Sequence, residues 1–170
     1  MTKLKFPDIS SALSISNLSE EVKQYLPLLK LGLPSNLDAW DGYPAERDRI
    51  FSLFKNNNSK LISLAGDTHN AWFSKLFNNA EEHIGYEFGT PSVTSPGLSE
   101  YLNGVNPREL EQGIINTNKE IEWVNTSHRG YTKIYLNESI LKGTFKFIES
   151  VLEKSAEISF SKTFTIDPKS

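Results

Sequence analysis

The hydrophobic period of this chain changes partway along, and that change restricts the fold more than any other feature. Up to about Asn118, apolar residues recur at helical spacing in several stretches; from Glu120 onward they recur every second residue. A period of two builds strands with one face turned to a core. The late region predicts strands over Ile121–Thr126, Tyr131–Leu136, Leu141–Phe147 and Ile158–Ile166. Ile158, Phe160, Lys162, Phe164 and Ile166 keep the alternation best in the last of these. The connection Asn137-Glu138-Ser139 is too short for a crossover, so the strands beside it run antiparallel.

The earlier region reads differently. Residues 1–16 are mixed and Ser-rich, a lead-in arm without a period. Val22, Tyr25, Leu26 and Leu29 predict a helix over Leu18–Leu31, capped at Ser19 and stopped by Gly32 and Pro34. Pro44 opens a second helix that runs to about Asn56, with Ile50, Phe51 and Phe54 as its apolar stripe. Leu61-Ile62-Ser63-Leu64-Ala65 has the pattern of a buried strand and stops at Gly66-Asp67. Asn70 to Phe77 fits a strand or a short helix. Tyr86-Glu87-Phe88 is a short strand, and Pro107 to Asn118 a helix capped by Asn106. Helices with parallel-type strands, then a run of strands, give a mixed α/β layered domain with α+β character at its carboxyl end. With no repeat, low-complexity tract or internal boundary, the 170 residues form a single domain or part of one.

Charge narrows the function classes. A net charge of -3 with scattered Lys and Arg carries no nucleic-acid signature and no membrane-surface stripe. Nothing approaches transmembrane length, and Met1 to Asp8 lacks the apolar core of a secretory signal. Without cysteine, disulfides and thiolate metal sites are excluded within the chain.

Three blocks carry residues suited to chemistry. In Leu64-Ala65-Gly66-Asp67-Thr68-His69-Asn70-Ala71-Trp72, the strand delivers Asp67 and His69 past its carboxyl end, where open α/β sheets place ligands. Gly66 allows the sharp turn that lets both point to one centre. A carboxylate and an imidazole suit a metal that activates water, with Asn70 as a further oxygen donor or a phosphoryl contact. A polar turn with a hydrogen-bonded His69 is the plainer alternative. In Asp38-Ala39-Trp40-Asp41-Gly42-Tyr43-Pro44-Ala45-Glu46-Arg47, either Asp41 caps the following helix, or Tyr43 and Arg47 donate to anionic oxygens between walls of Trp40 and Tyr43. In Ser127-His128-Arg129-Gly130-Tyr131, either Arg129 forks onto a phosphate while His128 acts as ligand, acid or orienting group, or the segment is a hairpin corner with an exposed arginine. Glu81-Glu82-His83 reads as a solvated polar run. Ser92, Ser95 and Ser99 lack a nucleophile elbow.

Taken in order, these blocks resemble the PhoD-type alkaline phosphatases. The order is Asp38 to Arg47, Gly66 to Trp72, Glu87-Phe88-Gly89-Thr90-Pro91-Ser92-Val93-Thr94-Ser95-Pro96-Gly97, then His128 to Tyr131, all within about Asn36 to Phe147. The resemblance implies half of a metallophosphoesterase-like α/β/β/α sandwich with antiparallel carboxyl-terminal strands. Gly66-Asp67-Thr68-His69 looks like that superfamily's late Gly-His-x-His motif, with Asp in place of the first His. It thereby implies metal roles for Asp67 and His69, and pocket roles for Tyr43, Arg47, Asn70, His128 and Arg129. Calcium and iron are the implied cofactors, a phosphoester the implied substrate, and hydrolysis by in-line attack the implied reaction. An exported location is implied too. The superfamily's early metal motifs and an iron-binding cysteine are absent from these residues, so the chain is read either as a fragment or split reading frame, or as one piece of a complex whose site another chain or an amino-terminal segment completes. The alternative is an inactive module that binds phosphate, metal or a partner.

Overall fold

The computed structural model describes residues 1–5, 36–102, 105–155 and 157–167. The helix expected over Leu18–Leu31 lies outside them. A single 3-10 turn at Trp40–Gly42 leads into helix α1, Pro44–Asn56, whose first residue is the proline that fits a first helical turn. Strands β1 (Leu61–Ala65), β2 (Ala71–Phe77) and β3 (His83–Gly89) follow. The one-turn helix α2 (Leu98–Tyr101) precedes helix α3 (Pro107–Thr117), whose cap Asn106 accepts the Arg108 amide through its side chain. Strands β4 (Ile121–Asn125), β5 (Arg129–Leu136), β6 (Leu141–Ile148) and β7 (Ile158–Ile166) complete the chain.

The strands form two sheets. The first has the order β1-β3-β2-β4, with β1 parallel to β3 and the other pairs antiparallel. The second, β5-β6-β7, is antiparallel throughout. Period two sorts the side chains of β2 cleanly. Ala71 and Phe73 face the second sheet and, with Phe88 of β3, meet its Leu141, Phe145, Phe147 and Ile166. On the other face, Trp72 joins Leu110 and Ile114 of α3, and Leu76 joins Phe51 of α1. The result is helices, sheet, sheet: three layers of the expected sandwich, mixed α/β with an antiparallel carboxyl-terminal sheet. The intersheet core is aromatic, and the Phe73 and Phe164 rings stack with centroids 4.0 Å apart.

The outward face of the second sheet carries Tyr131, Lys133, Tyr135, Lys142, Thr144 and Lys146, the polar half of its alternation. Such a face is at home in water.

Two features differ from the sequence reading. β3 begins at His83, so the polar run Glu81-Glu82-His83 ends inside the sheet; the His83 ring packs against Tyr86 and Phe77. Among the described residues, β1 is an edge strand rather than a fully buried one, and Leu64 is 63% exposed. A continuous apolar run signals burial on both faces, but it cannot show whether both edges are paired.

Candidate functional site

β1 ends at Ala65 and the chain turns at once. The Thr68 amide donates to the Gly66 carbonyl at 2.9 Å, closing a three-residue turn around Asp67. Asp67 sits there with φ 71°, the rarer and more strained form of such a turn. His69 is also left-handed, at φ 60°. The turn expected of Gly66 is therefore carried by its neighbours. Aspartate tolerates this region better than most residues, yet two left-handed side chains in three residues cost free energy that only the surroundings repay. Asp67 is exposed and His69 half-buried, so neither is sealed in a dry interior.

The surroundings are specific. His69 Nδ1 lies 3.0 Å from the Pro96 carbonyl. With Nδ1 as the donor, Nε2 is the nitrogen left as a lone-pair ligand, the usual orientation of a metal-binding imidazole. Asn70 is buried and ties its loop to α2: Nδ2 donates to the Thr68 carbonyl at 2.5 Å, and Oδ1 accepts the Leu98 amide at 2.9 Å.

Arg129 ties the first block to the last. Its Nη1 donates to the His69 carbonyl at 3.0 Å and to the His128 carbonyl at 2.9 Å. Its Nη2 reaches both carboxylate oxygens of Glu100 at 2.6 Å. The side chain is 5% exposed, not a solvent-facing hairpin corner. Gly97 gives the guanidinium its room, since a Cβ there would stand 2.5 Å from Nη2. Glu100 escaped the sequence reading because it sits in a helix of one turn, too short to leave a periodic signal.

His128 is half-buried, edge-on to the Phe160 ring at 4.8 Å, with Nδ1 near Asn125 and Ser127. Burial lowers its pKa. Glu111 and Glu100 oppose that and Arg129 reinforces it.

The Asp38–Arg47 block divides. Trp40 and Asp41 line a cavity of about 370 Å³ together with Asp67, Thr68, Trp72 and Glu87. Asp41 does not cap α1, whose cap position is Tyr43; its Oδ2 accepts the Leu4 amide at 3.1 Å. Burial raises the Asp41 pKa against that hydrogen bond. Tyr43 is exposed and does not line this cavity. Arg47 is 1% exposed, stacks on Phe51 at 4.2 Å, and donates to Met1 O, Phe77 O and Glu120. Its hydrogen bond to Phe77 O of β2 and its ion pair with Glu120, just ahead of β4, fasten α1 to the sheet.

Sequence reasoning also passed over Glu87. It is 2% exposed, accepts the Ser63 hydroxyl at 2.7 Å, and lines the same cavity as Asp67. A carboxylate between Tyr86 and Phe88 in a strand was the available signal.

The donors present match a hard cation in kind, a carboxylate and an imidazole oriented by a carbonyl. They do not match it in number. Among the described residues, no three His, Cys, Asp or Glu side chains stand together as a metal site.

Comparison with known proteins decides the family. The model of the PhoD-like phosphatases matches residues 7–145, well over half of the chain. The chain belongs to the PhoD-like phosphatase family. Alkaline phosphatase D of Bacillus subtilis (strain 168) is 32% identical to this PhoD-like chain over 134 residues, covering 76% of the chain and 22% of that protein. The chain thus spans about a fifth of its curated relative. No solved structure matches it. Among the described residues, no helix is long and apolar enough to cross a membrane.

Proposed function

We propose that this chain supplies the late part of a phosphoester hydrolase site, with Asp67 and His69 as metal ligands on the turn leaving β1. The observation that carries this reading is the strained turn itself. A PhoD-like block holds an exposed carboxylate at φ 71°, beside an imidazole whose Nδ1 is fixed by a carbonyl. Calcium and iron, the ions implied by the resemblance, would offset the charge of the phosphoryl oxygens when bound. Asp67 offers a carboxylate and His69 its Nε2. Asn70 and Arg129 hold the loops in place. His128, kept neutral by burial, is suited to exchange a proton with the substrate or its leaving group. Arg47 is left to the anchoring of α1, with Tyr43 at its cap position.

Two ligands do not make a multinuclear centre, so the isolated chain should turn over little or no substrate. Exchanging the matched segment of Bacillus subtilis alkaline phosphatase D for the 76% of this chain that aligns with it tests the reading. A folded chimera should hydrolyse a chromogenic phosphoester with calcium and iron, and Asp67→Ala should abolish that. A folded, metal-loaded chimera that is inert would sink the proposal and favour a binding module.

A further inference from the structure

We propose that the open edge of β1 is a seam, where this chain pairs strand to strand with a part of the PhoD-like domain that lies outside these residues. The inference rests on the functional reading above and goes beyond it by naming the surface and its occupant.

Among the described residues, β1 is hydrogen-bonded on one side only, to β3. The Thr90 amide donates to the Ala65 carbonyl at 2.8 Å, which turns the backbone of Ala65, Ser63 and Leu61 toward β3. By alternation, the amides and carbonyls of Ile62 and Leu64 point outward. Leu64 shares the intersheet face with Ile62, which packs into the core, yet it is 63% exposed. It is a core position with one neighbour missing. A cavity of about 330 Å³, lined by Leu64, Phe88, Thr132 and Ile134, opens beside it. Natural edge strands are protected by charges, proline or bulges; Leu61-Ile62-Ser63-Leu64-Ala65 has none of these, whereas the opposite edge strand β4 carries Glu122 in an ion pair with Lys75. This edge is built to be covered.

The occupant follows from the site. A strand laid along β1 ends level with Gly66 and Asp67, so its flanking loop stands beside the two candidate ligands and can contribute the others. A second copy of this chain does not meet that need. Two β1 strands related by a two-fold axis run antiparallel and carry their Asp67 turns to opposite ends. The curated relative has 78% of its length outside the matched region, which leaves ample chain to provide the strand.

The probe is the unmatched part of Bacillus subtilis alkaline phosphatase D, tagged and co-expressed with this chain. We expect the two to co-purify in equal amounts, with amide exchange at Ile62 and Leu64 slowed at least tenfold in the complex. Leu64→Pro removes an amide that faces away from β3. Leu64→Lys keeps the amide and places a charge on the seam. Each should cut co-purification at least tenfold while the isolated variant keeps the native circular dichroism spectrum. No capture by the native chain, capture indifferent to both variants, or β1 protection from self-association would each overturn the seam. Capture is read without turnover, so the two proposals separate. A complex that forms but hydrolyses nothing keeps the seam and sinks the hydrolase, whereas full activity of this chain alone overturns the seam.

Discussion

Arg129 and His69 stand 60 positions apart in sequence, and a guanidinium nitrogen of the first meets the main-chain carbonyl of the second at 3.0 Å. The same guanidinium grips Glu100 with two short contacts. The start of β5 therefore fixes the backbone behind the Asp67–His69 turn.

Removing that clamp should loosen the turn before it unfolds the domain. Arg129 is buried, but Glu100 is about half-exposed and can rehydrate, so we expect Arg129→Ala to cost about 2 kcal/mol rather than the larger penalty of a fully buried pair. Urea denaturation measures the loss. Amide exchange at Thr68 to Asn70 should accelerate more than exchange in β6. Equal acceleration in both would refute a local clamp.

The left-handed Asp67 sets stability against chemistry. Glycine adopts φ 71° freely, so Asp67→Gly should raise stability by about 1 kcal/mol. The same variant should lose cation affinity in calorimetric titration. A fall in the thermal midpoint would show that the carboxylate stabilises the turn instead.

Packing between the sheets is close enough that small additions are felt. A Cβ on Gly143 would stand 2.0 Å from Phe88 Cε1, so Gly143→Ala must push an aromatic core apart, at about 1–3 kcal/mol. Phe145→Ala, at a position with 0% exposure, should cost about 3–5 kcal/mol by leaving a cavity. Both are read by urea midpoints at constant slope.

Acid should weaken the fold through His128. Burial holds its pKa below the ordinary 6.5, so it is the unfolded chain that takes up the proton as pH falls through that value. Its contribution is complete above about pH 6.5 and declines below, down to the lowered pKa of the folded state. His83 is shifted the same way by burial, so His128→Gln should flatten only part of the slope between pH 7.5 and 5. An unchanged slope would exclude His128 as a contributor.

Much of the fold was legible because it rests on local signals. Pro44, Asn106 and the turn at Asn137 mark ends that the structure confirms, and β1 and β7 fall where their apolar patterns placed them. What stayed hidden depends on contacts between distant residues. Nothing in Leu61–Ala65 says that, among the described residues, one edge alone is paired. Nothing around Arg47 or Arg129 reveals Glu120 or Glu100 as partners, so both arginines read as phosphate contacts when their charge is met within the fold. The site turn was half visible: Asp67 and His69 are marked by type and spacing, but the sequence points to Gly66 for the sharp turn, and the left-handed backbone falls on Asp67 and His69.

The strand order has a consequence for how the domain assembles. β2 and β3 are neighbours joined by residues 78–82 and can zip together early, whereas β1 comes before both and lies beyond β3. Its pairing closes a longer loop and has no template until the hairpin exists. β1 should therefore join only after that hairpin and, as an edge strand with one partner among the described residues, fray early on heating, taking the Asp67 turn with it. A protease that cuts the frayed chain near Ser59 would then read out site integrity well below the global melting point.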